Sequence, residues 1–386
     1  MKQNPDSETA AAAPASADVL VTGATGLIGR WLVPELTQLG HVVLVAIRKA
    51  SARSEAYRRW VADHGGDPER LVFDEVDLDR DDLGLVPGAG ESVRDIFHLA
   101  GRYEFGMSRE EARRVNVDGS LRVLRWAAKR PALRRYVLVS GYRVAAPEVI
   151  AEVGTGPLDE ATRDGLYRRL GAYEASKFEE HLAVQDEAKR LGVPLSFVNP
   201  ASVIGDSETG ETTQFIGLTT TVRDLVNGKM PAMAGGSDIF VPVVTVDYVA
   251  RFMARLPEYP DAAGESYWLL DQSTPNLPEL IRWVADHVGV KAPSWSLPIW
   301  LIRALPRMLT GVEPETLSFL STLRYDTDSA DALASRMGLT MPDLWSSTGR
   351  WVDFLVATRF GEQVAGPVGC RGRAEVSKLH RSRRAA

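Results

Sequence analysis

Short apolar runs rich in β-branched residues alternate with longer helical patterns over the first 200 residues of the chain. Six runs have the length and composition of parallel strands covered on both faces: Val19 to Thr22, Val42 to Ile47, Leu71 to Val76, Asp95 to His98, Tyr136 to Ser140 and Leu195 to Asn199. Apolar positions three and four apart predict helices over 28–39, 110–129 and 173–190. The alternation predicts a doubly wound α/β fold with a parallel, Rossmann-type sheet.

After Pro200 the pattern loosens into Gly- and Pro-rich segments with helical stretches over 277–288, 298–309, 329–337 and 344–357. Ligands of doubly wound proteins lie beyond the carboxyl ends of the strands, so this later material is expected to cap that edge. The sequence therefore predicts a dinucleotide-binding domain over 18–205. A smaller C-terminal substrate-binding lobe, mixed with the core, is predicted over 206–365.

The two ends of the chain differ in composition from the rest. Residues 1–17 are Ala-, Pro- and Ser-rich and lack the apolar segment of a secretory signal, which predicts a disordered leader. Residues 366–386 are rich in Lys and Arg without interleaved aromatic residues, which predicts a flexible basic tail rather than a nucleic-acid or membrane anchor. No run of about 18 uncharged apolar residues occurs, so no membrane-spanning helix is expected.

Overall composition narrows the class of protein. The chain has 386 residues, 45% hydrophobic and 25% charged, with a formal net charge of −6. These are ordinary globular proportions and exclude collagen-like, low-complexity or wholly disordered proteins. The single cysteine, Cys370, cannot form an internal disulfide, so a cytoplasmic location is expected. The six histidines are scattered without ligand spacing, and no metal site is expected.

A glycine-rich segment, Thr22-Gly23-Ala24-Thr25-Gly26-Leu27-Ile28-Gly29, follows the first predicted strand and opens the first predicted helix. In such a segment the first glycine permits a tight turn, the second lets the backbone approach a pyrophosphate, and the third lets helix and strand pack closely. The helix terminus adds free N–H groups and the positive end of the helix dipole. The segment predicts a dinucleotide site.

The second predicted strand indicates which dinucleotide binds. A cofactor without a 2′-phosphate is usually held by an acid about 20 residues past the glycines. Here the strand ends in Ala46, Ile47, Arg48 and Lys49, with no acid. Arg48, helped by Lys49 or Arg53, can pair with a 2′-phosphate through charge-assisted hydrogen bonds. The sequence therefore predicts NADPH as the cofactor.

Tyr173 and Lys177 lie four residues apart at the start of a predicted helix and hence share a face. A free tyrosine has a pKa near 10, and an adjacent cation favours its phenolate. Tyr173 is therefore predicted to be the proton donor and Lys177 the group that brings its pKa toward neutrality.

Together these motifs resemble the extended form of the short-chain dehydrogenase/reductase superfamily over about residues 18–340. Segments 82–85, 173–177 and 205–210 are most similar to its thioester-reductase and fatty-acyl reductase branch. The resemblance implies cofactor contacts from an adenine-binding dipeptide, a fourth-strand motif, a helical Asn and a strand end beside the nicotinamide. These residues are Asp77, Leu78, Leu99, Ala100, Gly101, Asn116, Lys177, Pro200 and Val203. A homodimer is a common arrangement in the family.

One position departs from the family pattern. The Ser or Thr that holds the substrate carbonyl is normally three residues before Val144, where this chain has Gly141. Ser140 is one residue early and on a strand should point to the other face. Either the loop shifts so that Ser140 acts as a catalytic residue, or Tyr142 or a backbone N–H donates. We expect Ser140 to make a structural hydrogen bond and Tyr142 to line the pocket.

Mostly apolar and aromatic residues follow the strands at their carboxyl ends and are predicted to bind the substrate: Tyr103, Phe105, Tyr142, Gln214 and Phe215. With the resemblance, they imply an NADPH-dependent reductase acting on an acyl thioester, or the aldehyde it yields, of a small or carrier-bound hydrophobic molecule. A ketone or β-keto reductase for steroid-like or polyketide substrates is an alternative. A cofactor-binding regulator with impaired catalysis is another. An apolar and aromatic pocket wall suits a polar sugar nucleotide less well, which disfavours an epimerase.

Overall fold

The computed structural model describes residues 16–104, 106–144, 146–156, 158–304 and 320–363. Its strands are β1 (Val19–Thr22), β2 (Val43–Ile47), β3 (Leu71–Glu75), β4 (Asp95–His98), β5 (Arg135–Val139), β6 (Leu195–Pro200), β7 (Ser202–Ile204), β8 (Met233–Ala234), β9 (Val243–Thr245), β10 (Ser266–Leu269) and β11 (Ser296–Leu297). The central sheet has seven parallel strands in the order β10-β6-β5-β4-β1-β2-β3. The doubly wound fold is confirmed, and the six predicted strands lie within one residue of their predicted bounds.

The helices cover both faces of this sheet and the lobe beside it. They are α1 (Leu27–Gln38), α2 (Ala50–Asp63), α3 (Arg109–Ala112), α4 (Gly119–Ala127), α5 (Pro147–Val153), α6 (Glu160–Leu170), α7 (Ala172–Leu191), α8 (Leu218–Val226), α9 (Val246–Arg255), α10 (Leu277–Val288), α11 (Ile299–Ala304), α12 (Asp328–Arg336) and α13 (Leu344–Ala357). A π-helical turn, Arg113–Asp118, joins α3 to α4. The predicted helix over 298–309 is described only as far as Ala304, and α2, α5, α6, α8 and α9 were not predicted.

Strand order reverses at β1, which lies between β2 and β4. The connections from β1 and β4 therefore leave toward opposite faces of the sheet and open a crevice at their carboxyl ends. Thr22 is level with Ala46 of β2 and His98 of β4, so the segments after these three strands begin at one edge. This edge is where the predicted glycine loop lies.

Alternate residues of each central strand enter different cores, as the pleat requires. Val21 packs with residues of α1 and α9 on one face, and Leu20 packs with residues of α4 and α7 on the other. On α7, the ring of His181 stacks against Phe197 of β6 with centroids 3.9 Å apart. His181, Val184 and Ala188 of this helix therefore face the sheet, whereas Phe178 and Leu182 of the predicted stripe pack in a separate core with α5 and α6.

A third core, formed by α8, α10, α13 and neighbouring loops, lies in the later part of the chain. There β7 pairs with β9 in a separate two-stranded sheet. Strand β10 nevertheless joins the central sheet, and α9 packs on α1. Residues after 205 therefore contribute both to the lobe and to the Rossmann core.

The predicted leader, apart from residues 16 and 17, and the predicted basic tail with Cys370 lie outside the described residues. Within the described ranges, no helix is both long enough and apolar enough to cross a membrane.

Candidate active site

The glycine loop has the backbone geometry of a phosphate cradle. Gly23 adopts φ +74°, and a Cβ there would lie 2.5 Å from the Ala100 backbone nitrogen. A Cβ on Gly29 would lie 2.5 Å from the Gly23 carbonyl oxygen. Gly26 is the N-cap of α1 and offers no side chain to bond the leading N–H groups of the helix. The loop therefore fits a pyrophosphate, which these N–H groups and the helix dipole attract.

A cavity of about 300 Å³ extends from this loop to the start of α7. Its lining includes most of the predicted site residues: Gly23, Gly26, Leu27, Ile28, Gly29, Leu99, Gly101, Tyr103, Asn116, Ser140, Tyr142, Tyr173, Lys177, Pro200, Val203 and Gln214. We call the part formed by the glycine loop, the segment directly after β4 and Asn116 the cofactor side. The substrate side is formed by Tyr103, residues 140–144, Tyr173, Glu174, Gln214, residues 216–219 and Trp351.

Six predicted residues are not part of this lining: Thr25, Arg48, Asp77, Leu78, Ala100 and Phe215. Arg48 and Asp77 are exposed near the ends of β2 and β3, on the far side of the glycine loop. Phe215, predicted to bind the substrate, has a partly buried ring that packs against the third core beside Gly361. Phe105 lies outside the described residues.

Lys177 is held in place by the backbone of β5 and by a carboxylate. Its Nζ donates to the Val139 carbonyl oxygen at 3.1 Å and forms an ion pair with Glu180, one turn later on α7. The Lys177 side chain is 12% exposed and that of Glu180 is 1% exposed. The amine is thus fixed at the edge where the cavity meets the sheet.

Burial raises the pKa of the Tyr173 phenol well above its ordinary value, and Tyr103 and the carboxylates of Glu180 and Glu174 raise it further. The Tyr103 and Tyr173 rings are 4.8 Å apart, and burial raises the pKa of Tyr103 to about 12. The protein's own residues therefore keep Tyr173 protonated. The sequence analysis predicted a shift toward neutrality caused by Lys177, whose charge is balanced here by Glu180.

Asn116 lies in the π-helical turn between α3 and α4. Its Nδ2 donates to the Ser176 hydroxyl at 2.9 Å, and its Oδ1 accepts from the Arg102 backbone N–H at 2.8 Å. Ser176 Oγ in turn donates to the Tyr173 carbonyl at 2.7 Å. The turn therefore ties the cavity wall to the first turn of α7, and π-helical turns occur frequently at functional sites.

Ser140 lies one residue beyond β5 and is 5% exposed. Tyr136 and Leu138 pack in the core that α7 covers, so alternation places Ser140 on the α7 side of the sheet. No hydrogen-bond partner of its hydroxyl occurs among the described residues, so the expected structural hydrogen bond is not found there. At Gly141, φ is not positive, and a Cβ would make ordinary contacts, 3.7 Å from Val144 Cγ1 and 3.9 Å from Lys177 Cβ.

Sequence analysis missed a charged pair on the substrate side. Arg143 Nε lies 3.1 Å from Glu174 Oε1, and the two side chains are 12% and 10% exposed. Each directly follows a predicted tyrosine, Tyr142 or Tyr173, and both line the cavity. The substrate side is thus more polar than its aromatic residues indicated. The sequence signal for this charged pair was that Arg143 and Glu174 each directly follow a predicted site residue.

Among the residues that the structure describes, no group of three or more His, Cys, Asp or Glu side chains could hold a metal ion.

A parallel sheet with a glycine loop at its reversal point, and a Tyr and a Lys in the same cavity, defines an oxidoreductase of the extended short-chain dehydrogenase/reductase type. Residues 21–253 match the family model described as male sterility protein. The chain belongs to this NAD-binding family.

Individual relatives agree with this assignment. The chain is 26% identical over 332 residues to tetraketide alpha-pyrone reductase 1 of Arabidopsis thaliana, covering 82% of this chain and 89% of the relative. It is 26% identical over 206 residues to the NRPS-like oxidoreductase fscA of Fusarium equiseti, covering 50% of this chain but 18% of that protein. The solved terminal R domain of the myxalamid PKS-NRPS pathway shares the fold, with a TM-score of 0.71 and 21% identity over 90% of this chain and 92% of that one.

Proposed function

We propose that this protein is an NADPH-dependent reductase that acts on an acyl thioester, or on the aldehyde derived from it, of a hydrophobic substrate. The observation that carries the proposal is the single cavity in which the glycine loop, Lys177 and Tyr173 meet. When bound there, the reduced dinucleotide supplies the hydride for the carbonyl carbon.

Tyr173 protonates the carbonyl oxygen, which gives an alcohol from an aldehyde or ketone. From a thioester it gives a hemithioacetal, whose C–S bond breaks to release the aldehyde and the free thiol. Because burial raises the pKa of the Tyr173 phenol, the side chain carries its proton at neutral pH, as the reductive direction requires. The Lys177 ammonium, four residues along the same helix face, stabilises the phenolate that remains after proton transfer. Asn116 and Ser176 hold the first turn of α7 so that the phenol keeps its place in the cavity.

Ser140 donates a hydrogen bond to the carbonyl oxygen as negative charge develops on it. Support comes from its buried hydroxyl at the cavity wall, which lacks a partner among the described residues. A preorganised donor of this kind contributes most in a site that excludes water. In this assignment the serine one position before Gly141 performs the role of the family hydroxyl.

The cofactor preference rests on the end of β2. Arg48 is exposed there, beside Lys49, and Arg53 lies in the first turns of α2. The nearest carboxylate on the neighbouring strand is Glu75, whose Oε1 accepts from the Lys49 backbone N–H at 3.0 Å. Three cationic residues in this segment, Arg48, Lys49 and Arg53, favour a 2′-phosphate over a bare ribose.

The thioester assignment rests on similarity. The narrower motif match, the terminal R domain with the same fold and the NRPS-like oxidoreductase all point to the thioester-reductase branch. Apolar and aromatic side chains on the substrate side, such as Tyr103, Ile216 and Leu218, suit an acyl chain. A carrier-bound substrate would enter past Ile216, which is 43% exposed.

A ketone or β-keto reductase is the second candidate, and the Arg143–Glu174 pair favours it. A guanidinium carries five N–H donors, so Arg143 in the cavity wall can bind a second oxygen of a substrate that has one. One relative that spans most of the chain is named as a reductase of a tetraketide pyrone. The charge-balanced pair suits a neutral oxygen function rather than a free carboxylate.

Incubating the purified protein with NADPH or NADH and matched octanoyl thioester, octanal, 3-oxooctanoyl thioester and 2-octanone, while following cofactor absorbance, tests both candidates. Turnover of the first two supports the thioester assignment, and turnover of only the last two supports the ketone assignment. Tight cofactor binding without turnover of any of them would favour the regulator reading instead.

A further inference from the structure

Buried polar side chains form a continuous line from the end of β1 to the active-site lysine. Thr22 Oγ1 lies 2.6 Å from His98 Nδ1, and His98 Nε2 lies 2.8 Å from Ser120 Oγ. Ser120 Oγ lies 2.5 Å from Glu180 Oε1, and Glu180 forms the ion pair with Lys177. The first four side chains are at most 1% exposed. The line thus joins the start of the glycine loop to Lys177 through the interior.

The hydrogen positions along this line follow from the charges at its end. Burial raises the pKa of Glu180, and the Lys177 ammonium and the Ser120 hydroxyl lower it. With Glu180 ionised beside that ammonium, its Oε1 accepts the single Ser120 hydroxyl hydrogen. The Ser120 oxygen then accepts from His98 Nε2–H, which leaves Nδ1 to accept from the Thr22 hydroxyl. Burial and the Lys177 charge lower the pKa of His98 to about 3, so its ring is neutral. The donors therefore all point toward the Glu180 carboxylate.

We propose that Glu180 is a positioning residue for catalysis, which holds the Lys177 ammonium in place and balances its charge, and is itself held by Ser120 and His98. Lys177 has three N–H donors. Among the described residues Val139 and Glu180 take two of them, so the third is left for a group in the cavity. The inference rests on the proposed reductase function, but its consequence for cofactor binding can be measured separately.

The adjacent residue, Glu179, is a matched control. It is also buried, 4% exposed, and forms ion pairs with Arg113 and Arg163 and a 2.8 Å hydrogen bond with Tyr167. Its carboxylate does not line the cavity. Removing either charge breaks a buried ion pair, and only one of these pairs includes Lys177.

Loss of the Glu180 charge affects both active-site groups. Without this anion the buried Lys177 ammonium lacks its partner charge, and the pKa of Tyr173, which Glu180 raises, falls. The other ionisable groups facing Lys177 are His98 from β4 and His181 from α7, whose pKa values are lowered to about 3 and about 4 by burial and by Lys177. Tyr103 and Glu174 face Tyr173. The alkaline decline of reduction and of NADPH binding must therefore move to lower pH.

The experiment compares the parent protein with Glu180→Gln, Glu180→Asp and Glu179→Gln. NADPH dissociation constants are measured by fluorescence from pH 6 to 10, and kcat and KM are measured with whichever carbonyl substrate the parent reduces. In Glu180→Gln we expect the alkaline declines of NADPH binding and of reduction to occur about one to three pH units lower than in the parent. Glu180→Asp should keep the parent's declines with a lower kcat, because the charge remains. Glu179→Gln should lose thermal stability and keep the parent's profiles.

Unchanged declines in folded Glu180→Gln, or an equal shift in Glu179→Gln, would overturn the proposal. If Glu180→Gln does not fold, Glu180→Asp provides the test. This variant keeps the charge, so an alkaline decline displaced by about one pH unit would contradict the positioning role of Glu180. If the parent reduces none of the carbonyl compounds, the proposed function fails, and the binding profiles alone still decide the role of Glu180.

Discussion

The two sides of the cavity are built from different parts of the chain. The cofactor side is mostly backbone and small or aliphatic residues from two neighbouring connections, β1 to α1 and the segment after β4. The substrate side is made of long side chains from segments far apart in sequence, such as Tyr103, Arg143, Glu174 and Trp351. Function on the first side therefore depends on close approach of the backbone, and on the second it depends on where side-chain groups lie.

This difference predicts that substitutions on the two sides of the cavity change different measured quantities. On the cofactor side they should change the dissociation constant of the dinucleotide. On the substrate side they should change turnover with little effect on cofactor binding. The four predictions below test that separation.

The largest effect is expected from Tyr173→Phe. The variant keeps the ring packing against Tyr103 but lacks the acid, so kcat should fall by about 10²- to 10⁴-fold while NADPH affinity changes little. Steady-state kinetics and fluorescence titration measure the two quantities.

Tyr167→Phe is the matched control, because this phenol bonds Glu179 at 2.8 Å and does not line the cavity. It should lower stability and leave turnover near the parent value. Full turnover by Tyr173→Phe on any accepted substrate would refute the assigned proton donor.

A smaller effect is expected from Ser140→Ala. Loss of an oxyanion donor lowers kcat by about 10²- to 10³-fold. Stability should hardly change, because no hydrogen bond of this hydroxyl occurs among the described residues. Thermal or urea unfolding and kinetics provide the two readouts.

Ser196→Ala should show the opposite pattern. Ser196 is fully buried on β6, away from the cavity, and its hydroxyl bonds the Ala262 carbonyl at 2.5 Å. Its removal should cost about 1 kcal/mol of stability with kcat unchanged. If Ser140→Ala instead lost stability and kept its turnover, Ser140 would be structural, as the sequence analysis expected.

The same contrast explains how far sequence reasoning reached. The strands and the glycine loop are specified locally, because Gly23 and Gly29 occupy positions where a Cβ would meet backbone within 2.5 Å. Such constraints leave a pattern in neighbouring residues that can be recognised directly. The predicted β1 to α1 segment accordingly matches the structure.

Side-chain neighbours from distant segments leave no comparable pattern. The pairing of Arg143 with Glu174, or of Ser120 with Glu180, joins residues 31 and 60 positions apart and depends on how α4, α7 and the loop after β5 pack. The packing of Phe215 against the third core likewise depends on tertiary contacts that its aromatic character does not indicate. The strand alternation was known, but which face α7 covers came only from the packed structure.

Arg48→Ala tests the cofactor side from outside the cavity. If Arg48 pairs with the 2′-phosphate, the ratio of NADH to NADPH dissociation constants should fall by about 10- to 100-fold, the scale of a charged hydrogen bond. Turnover at saturating cofactor should stay near the parent value. Arg59→Ala, an exposed residue of α2 beside Glu55, is the control and should change neither quantity. Equal affinities for NADPH and NADH in the parent protein would contradict the NADPH assignment.

The smallest effect is expected from Gly141→Ser, which restores the hydroxyl at the family position. The backbone there accepts a side chain, since φ is not positive and the added Cβ would make ordinary contacts with Val144 and Lys177. If Ser140 already supplies the donor, the second hydroxyl is redundant. The change in kcat should then be no larger in Gly141→Ser than in Gly141→Ala, which adds the Cβ alone. A rise of about tenfold or more in Gly141→Ser over Gly141→Ala would instead mean that the parent site lacks a full oxyanion donor. In that case position 141, not Ser140, is the place of the oxyanion donor, and the substrate side of the parent protein lacks this group.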